Sequence, residues 1–306
     1  MSTEFFSIIA DGEVIQHKVG YNSSVVARLT NGEVEGALII NTKDLQYRNT
    51  ANECIKCGRT DVTQQHARLC SGVIKTDKGM SRKYDGEGTI VQPVPDTEGR
   101  EVGYIVGQSG AGKTVFLVNY LVEYLTMFES NSAFIFTGAT ADDPAYSAVR
   151  TNPHMNLRVT FASIGKDILE QSLEPESFEN SLVVFDDTGA IEDKDVKKKI
   201  DNLRSRLCLV GRHKKVSVIT TNHLESEFTD KSLKTAITES HFLVIFPRHG
   251  TELGLNRLLT TWYGLPNRTK EDKEVVAKIK SVASRWVYLK KGYPKYALYE
   301  TGAFIL

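Results

Sequence analysis

The chain has 306 residues, 41% of them hydrophobic, and its 38 basic side chains balance 38 acidic ones. Such a composition can bury a large core, and zero net charge excludes a global basic field toward nucleic acid or membrane, so an anionic partner must be met by a local patch. No stretch approaches the roughly 18 apolar residues of a membrane span, and the opening MSTEFFSIIADGEV, acidic early and without a basic stretch, predicts no secretory signal.

Residues 1–98 read as a β-rich module. EFFSIIADGEVIQHKV, SVVARLT and EGALII are short apolar runs rich in Val and Ile, broken by D-G, N-S and N-G, which is the pattern of strands and hairpins. The same module holds CIKCGRTDVTQQHARLC, with the spacing Cys54-x2-Cys57-x8-His66-x3-Cys70. A C-x2-C knuckle lets two thiolates grip one ion, and the x3 spacing puts His66 and Cys70 one helical turn apart on a common face. The set predicts a structural Zn2+ site, because four protein ligands leave no open position for catalysis. The x8 gap is shorter than the spacing of about twelve usual in small zinc fingers, and ordinary thiols or a redox C-x-x-C are the alternatives. A zinc staple would suit a module too thin to hold a core unaided. Four cysteines without a secretory signal point to a reducing compartment, and Cys208, outside the set, reads as a core residue. VQPVPDTEGR, residues 91–100, gathers two prolines and a glycine and reads as a linker.

Residues 99–306 alternate strand and helix. GYIVG is a short buried strand, and KTVFLVNYLVEYLTMF carries Val115, Leu117, Val118, Leu121, Val122, Leu125 and Phe128 as a helical stripe. AFIFTG, LRVTFAS, SLVVFDD, VSVITTN and HFLVIF predict further strands. KDVKKKIDNLRSRLCLVG predicts a helix with Val196, Ile200, Leu203 and Leu207 on one face, and TKEDKEVVAKIKSVASRW a helix with Thr269 and Asp272 in capping-box positions. RWVYLKKGYPKYALY alternates as an edge strand. Continuous apolar strands between helices give the fold class: α/β, with a mostly parallel sheet covered on both faces.

GQSGAGKT, residues 107–114, matches the phosphate-cradling pattern G-x-x-x-x-G-K-[ST] after a strand and before a helix. Gly107, Gly110 and Gly112 let the backbone turn tightly and bring N–H groups near phosphate oxygens. The whole loop, Gly107, Gln108, Ser109, Gly110, Ala111, Gly112, Lys113 and Thr114, is therefore expected to bind a nucleotide, ATP, with Lys113 on its β and γ phosphates. Thr114 Oγ1 would bind Mg2+. SLVVFDD delivers Asp186 and Asp187 at the end of an apolar strand, where ligands bind in open α/β sheets. Asp186 would hold Mg2+ directly or through water, and Asp187 would orient and deprotonate the attacking water. As adjacent strand residues they should face opposite ways and act differently. About 70 residues separate Lys113 from Asp186, which leaves room for intervening strands. VSVITTN ends in Thr221 and Asn222, and Asn222 at a strand end could sense a γ-phosphate or the attacking water.

GQSGAGKT, LVVFDD, GRHKKVSVITTNH and FLVIFPRHG together resemble the FtsK–HerA group of P-loop ATPases, above all the poxvirus-type genome-packaging ATPases of large eukaryotic DNA viruses and virophages. The resemblance spans roughly residues 101–265 and implies a RecA-like core that forms a ring, a pentamer or hexamer, and moves double-stranded DNA through it. It implies Lys113 and Thr114 as the phosphate-loop pair, Asp186 as metal ligand, Asp187 as catalytic carboxylate and Asn222 as sensor. Many relatives carry Glu where this chain has Asp187, and Gln at the sensor. It also implies capsid or portal-vertex proteins as partners, and the host cytoplasm, a viral factory or the virion as location.

A ring ATPase takes an arginine from a neighbouring subunit to neutralise transition-state charge. Arg204, Arg206, Arg212 and Arg248 are candidates, with Arg212 favoured because GRH precedes the sensor strand. Residues 194–215 hold nine Lys or Arg against two Asp, a local basic island that could contact phosphates without reading bases. Lys197, Lys198, Lys199, Arg204, Lys214 and Lys215 are the expected DNA contacts, the alternative being a solvated helix face. Two other readings stay open: an AAA+ or helicase-like ATPase in replication or integration, and a nucleotide-dependent DNA- or protein-binding adaptor.

Overall fold

The computed structural model describes residues 4–9, 14–19, 22–31, 45–47, 89–96, 100–138, 143–162, 164–223, 230–266, 268–282, 284–292, 295–300 and 302–306. The expected zinc ligands Cys54, Cys57, His66 and Cys70 lie outside the described residues, as does the EGALII run. The chain divides into two compact units, Met1–Val94 with Tyr293–Leu306, and Pro95–Gly292. The sequence reading put residues 99–306 in one domain, whereas the last fourteen cluster with the N-terminal unit.

In the first unit β1 (Glu4–Ile9), β2 (Val14–Val19), β3 (Asn22–Asn31), β4 (Leu45–Tyr47) and β5 (Thr89–Pro93) form a sheet in the order β4-β1-β2-β3-β5. All neighbours are antiparallel except β4 on β1. The β2–β3 register shifts at Ile15/Gln16, a bulge that increases local twist.

The second unit is built on β6 (Val102–Val106), β7 (Ser132–Thr137), β8 (Val159–Ala162), β9 (Ser181–Asp186), β10 (Ser217–Asn222), β11 (Phe242–Ile245) and β12 (Val287–Lys290). Their order is β12-β11-β6-β10-β9-β7-β8, and every pairing is parallel but β11–β12. All residues of β6, β9, β10 and β11 are buried. Both faces of the sheet are thus covered, as their unbroken apolar sequences require. The room expected between Lys113 and Asp186 is used in an instructive way. The strand between β6 and β9 is β10, which follows both in sequence and brings Thr221 and Asn222 between the two motifs.

The main helices are α1 (Lys113–Met127), α2 (Lys194–Val210), α3 (Lys231–Glu239) and α4 (Lys270–Ser281). Asp193 and Asp230 cap α2 and α3 through their carboxylates, and Thr269 and Asp272 form the expected reciprocal capping box on α4. The buried face of α1 keeps Leu117, Val118, Leu121 and Leu125 of the predicted stripe and adds aromatic residues to it. Phe116, Leu117, Tyr120, Leu121, Tyr124 and Leu125 are buried, and Val115 is 53% exposed. The aromatic repeat at 116, 120 and 124 covers more apolar area than the valines and turns the helix toward itself. On α2 the predicted Val196, Ile200, Leu203 and Leu207 are all buried, and so is Cys208. Burial pushes the Cys208 thiol up to about 12.

RWVYLKKGYPKYALY makes two strands rather than one, β12 and β13 (Tyr296–Tyr299). β13 pairs antiparallel with β14 (Gly302–Ile305), and Glu300 between them accepts the Val91 N–H, both in the first unit. Among the described residues no helix is long and apolar enough to cross a membrane.

Candidate functional site

β6, β9, β10 and β11 run parallel, so their C-terminal ends share one edge of the sheet. The 107–114 loop leaves β6 at that edge, and its first N–H, of Gly107, donates to the Asn222 carbonyl at 3.1 Å. Gly110 and Gly112 take positive φ of 75° and 100°, which side chains resist. Gly112 starts α1 in that left-handed conformation, with no capping side chain and no acidic residue in the first turn. The first N–H groups of α1 are thereby left to the loop, a cradle suited to an anion. Phe246, just past β11, lies under the loop, where a Cβ on Gly107 would come within 2.8 Å of its ring.

Lys113 is 5% exposed. Its Nζ donates to the Gln108 carbonyl at 3.3 Å and stands 4.0 Å from Asp187 Oδ1. Burial pulls its pKa down, and Asp187 and Asp186 oppose that pull.

Asp186 ends β9 and is buried. Its Oδ1 accepts from Thr221 at 2.6 Å, and its Oδ2 from Tyr146 at 2.7 Å and Thr114 at 3.4 Å. Burial raises its pKa, against the pull of the Thr221 and Tyr146 bonds. Burial drives the Tyr146 phenol far upward, so it stays a donor. Asp187 departs from the expected alternation. It is not a strand residue but turns the chain at φ 48°, opening a short 3-10 turn at Thr188–Ala190. Both carboxylates therefore serve one edge instead of opposite faces. Thr221 Oγ1 accepts the Asp187 N–H at 3.0 Å, and His223 Nε2 approaches Asp187 Oδ1 at 3.3 Å. Asn222 donates to Tyr104 Oη at 2.7 Å and accepts the His223 N–H at 2.8 Å.

Sequence reasoning thus brought together Lys113, Thr114, Asp186, Asp187, Thr221 and Asn222, and missed Tyr146, Tyr104, His223 and Phe246. Tyr146 sits in a short turn with no motif around it to single it out.

The basic island is one run in sequence and two places in space. Helix α2 runs back from the C-terminal edge, where β9 ends, to the N-terminal edge, where β10 begins, and about 20 Å of helix separates Lys197 from Lys214. Arg204 corrects the prediction outright. At 1% exposure it touches no solvent; Nε donates to Ser232 at 2.9 Å, Nη1 to Thr188 at 2.9 Å, and the guanidinium pairs with Asp201. It can neither contact DNA nor reach a neighbouring subunit. Lys197 is tied to Asp201 and Asp230, Lys199 to the carbonyls of Leu169 and Gln171, and Arg206 to Glu174. Lys198, Arg212 and Lys215 are exposed and Lys214 half-buried. Arg212 lies in the turn before β10, at the edge away from its own phosphate loop, whereas Arg248 follows β11 on the loop's edge.

Residues 104–246, which hold all of these motifs, match the family described as Poxvirus A32 protein. A 235-residue stretch is 28% identical to uncharacterized protein V3 of Sputnik virophage, over 75% of this chain and 86% of that one. The genome packaging NTPase B204 of Sulfolobus turreted icosahedral virus 2, solved with ATP-gammaS, is 10% identical over 63% of this chain and 92% of its own, with a TM-score of 0.42. The pCW3 conjugation coupling protein TcpA, with ATPgS, is 10% identical over 66% and 60%, with a TM-score of 0.39. The matching segment begins within β6 and ends at Phe246, so it contains the phosphate loop, both carboxylates, the β10 end and the residue beneath the loop.

Proposed function

We propose that the chain is an ATPase that uses hydrolysis to move double-stranded DNA and package a viral genome. One observation carries the reading. A phosphate loop, a carboxylate pair and the end of an intervening strand meet at one edge of a parallel sheet, inside the segment that matches the A32 family. ATP would lie with its phosphates on the N–H groups of residues 107–114 and on Lys113. Bound Mg2+ would neutralise phosphate charge. The residues fit it, since Thr114 Oγ1 and Asp186 Oδ2 already stand 3.4 Å apart. Because both Asp186 oxygens take hydroxyl bonds, that carboxylate would act on the ion through water. Asp187 would accept the proton of the attacking water.

Of the predicted DNA contacts, Lys198, Lys214 and Lys215 are the ones left in reach of phosphates once Arg204, Lys197 and Lys199 are set aside. In this reading subunits close into a ring of five or six by family analogy. The ring works with capsid or portal-vertex proteins in the host cytoplasm or a viral factory. The cysteine spacing supports a structural Zn2+ on Cys54, Cys57, His66 and Cys70 in the N-terminal module. Thiol titration tests it: chelation should expose those three cysteines to reagent while buried Cys208 stays silent, and a protein purified without zinc that binds none on addition sinks the assignment.

The main test is steady-state ATPase with and without double-stranded DNA. The wild type should be stimulated, and Lys113→Ala should lose turnover. Full activity in Lys113→Ala overturns the site. DNA-indifferent turnover by a monomer overturns the motor.

A further inference from the structure

The end of β10 carries more of the site than Thr221 and Asn222. Thr221 faces β9, accepting the Asp187 N–H and donating to Asp186. Asn222 points away, as strand alternation requires. Its amide donates to Tyr104 Oη and its Oδ1 accepts the His223 N–H, so both ends of that side chain are engaged in fixing the strand end. The residue so fixed, His223, is directed at the catalytic turn, with Nε2 3.3 Å from Asp187 Oδ1. That oxygen is buried and, among the described residues, takes no hydrogen bond. A carboxylate oxygen in such a place is costly to leave without a donor. Lys113 Nζ stands at 4.0 Å, but the phosphate-loop lysine is drawn to phosphate when nucleotide binds. His223 is then the group positioned to hold Asp187.

We propose that His223 is a positioning residue of the hydrolytic site, its imidazole N–H fixing one oxygen of Asp187 so that the other meets the attacking water. The inference rests on the ATPase reading above. It assigns to His223 the strand-end work that the sequence pattern assigned to Asn222, whose amide is bound to Tyr104. Asp187 needs such a hold. It stands on a left-handed turn at a third exposed (33%), and among the described residues the distant lysine is the other group close to its carboxylate. The imidazole is 42% exposed, so its removal leaves the packed core intact.

Wild type, His223→Ala, His223→Gln and Asp187→Asn are compared in DNA-stimulated ATPase assays, with binding of a fluorescent ATP analogue measured alongside. Misplacing a reacting group can cost about 100-fold. His223→Ala should therefore lower kcat by about 10- to 100-fold while KM and analogue affinity stay within about twofold. Gln, which keeps an N–H at a similar reach, should recover most of the loss. Adding His223→Ala to Asp187→Asn should lower kcat no further, since the two act as one unit. Wild-type kcat in His223→Ala overturns the inference, as does loss of analogue binding in place of kcat, or losses that multiply in the double variant. In those cases the ATPase reading survives, because wild type still hydrolyses and Asp187→Asn keeps only a small residual rate. A wild type without turnover removes both.

Discussion

Asp186 is held by hydroxyls from three separate stretches of chain: Thr114 opening α1, Tyr146 in a short turn, and Thr221 one strand over. A carboxylate driven upward by burial is kept ready to ionise by donors that favour its charged form. Tyr146→Phe removes one of them and leaves the ring in place. A hydrogen bond to a charged group contributes about 1.5–3 kcal/mol, so the variant should lose stability in that range at pH 8 in metal-free buffer. The sign follows from the direction of the shift. Asp186 titrates higher in the folded state than unfolded, and losing Tyr146 Oη raises it further. The deficit is therefore full where Asp186 is ionised and narrows as pH falls and the carboxyl takes a proton. Denaturant midpoints at pH 8 and pH 5 check this, and a deficit that widens toward pH 5 refutes it. The sequence places Thr114, Asp186 and Thr221 at one site but gives no sign of these bonds or of Tyr146. The donors lie 72, 40 and 35 residues away and meet it only when the sheet forms.

At the scale of elements, α2 shows why a charge run is not a patch. Val196, Ile200, Arg204 and Cys208 repeat every fourth residue, so Arg204 stands on the apolar stripe and not on the lysine face. The periodicity was readable, and composition concealed it. Its guanidinium joins the turn after β9, through Thr188, to the start of α3, through Ser232, and packs over Phe185. Arg204→Met should lower stability by about 3 kcal/mol, the low end for removing one partner of a buried pair, because Asp201 is partly exposed and keeps Lys197. Arg204→Lys should restore less than half, since an ammonium cannot span three partners. In the same variants, at a temperature where they are folded, DNA affinity should hold, whereas Lys198→Ala with Lys215→Ala should weaken it and flatten its salt dependence. Unchanged denaturation with weakened DNA binding in Arg204→Met would reverse both assignments. Capping at Thr269 and Asp272 was legible for the opposite reason: both partners sit within one turn.

For the molecule as a whole, the layout of the sheet decides what one subunit can do for itself. The phosphate loop, Asp187 and His223 share the C-terminal edge, and Arg204 is sealed in the interior. Arg212 is exposed at the opposite edge, a six-residue strand away from Asn222, or about 20 Å. No side chain covers that distance, so Arg212 cannot neutralise charge in its own site. If it acts in catalysis it does so on the next subunit of a closed ring, where the repeated head-to-tail contact sets each arginine against a neighbouring loop. Mixing distinguishes this from a local role. Arg212→Ala subunits keep an intact loop and lack the donated charge, while Lys113→Ala subunits have a dead loop and an intact Arg212. Each alone should show little DNA-stimulated turnover, and Arg212→Ala should still bind ATP. Co-assembled, an Arg212→Ala site flanked by a Lys113→Ala neighbour is complete, so activity should return and peak near equal mixing. Arg248, on the loop's own edge, serves as the control: if it acts within its own subunit, Arg248→Ala mixed with Lys113→Ala should stay inactive, since no subunit then holds a whole site. Activity that never rises above the sum of the separate variants at any ratio would exclude Arg212 as the donated charge. Recovery in the Arg248 mixture instead would move that role to the turn after β11.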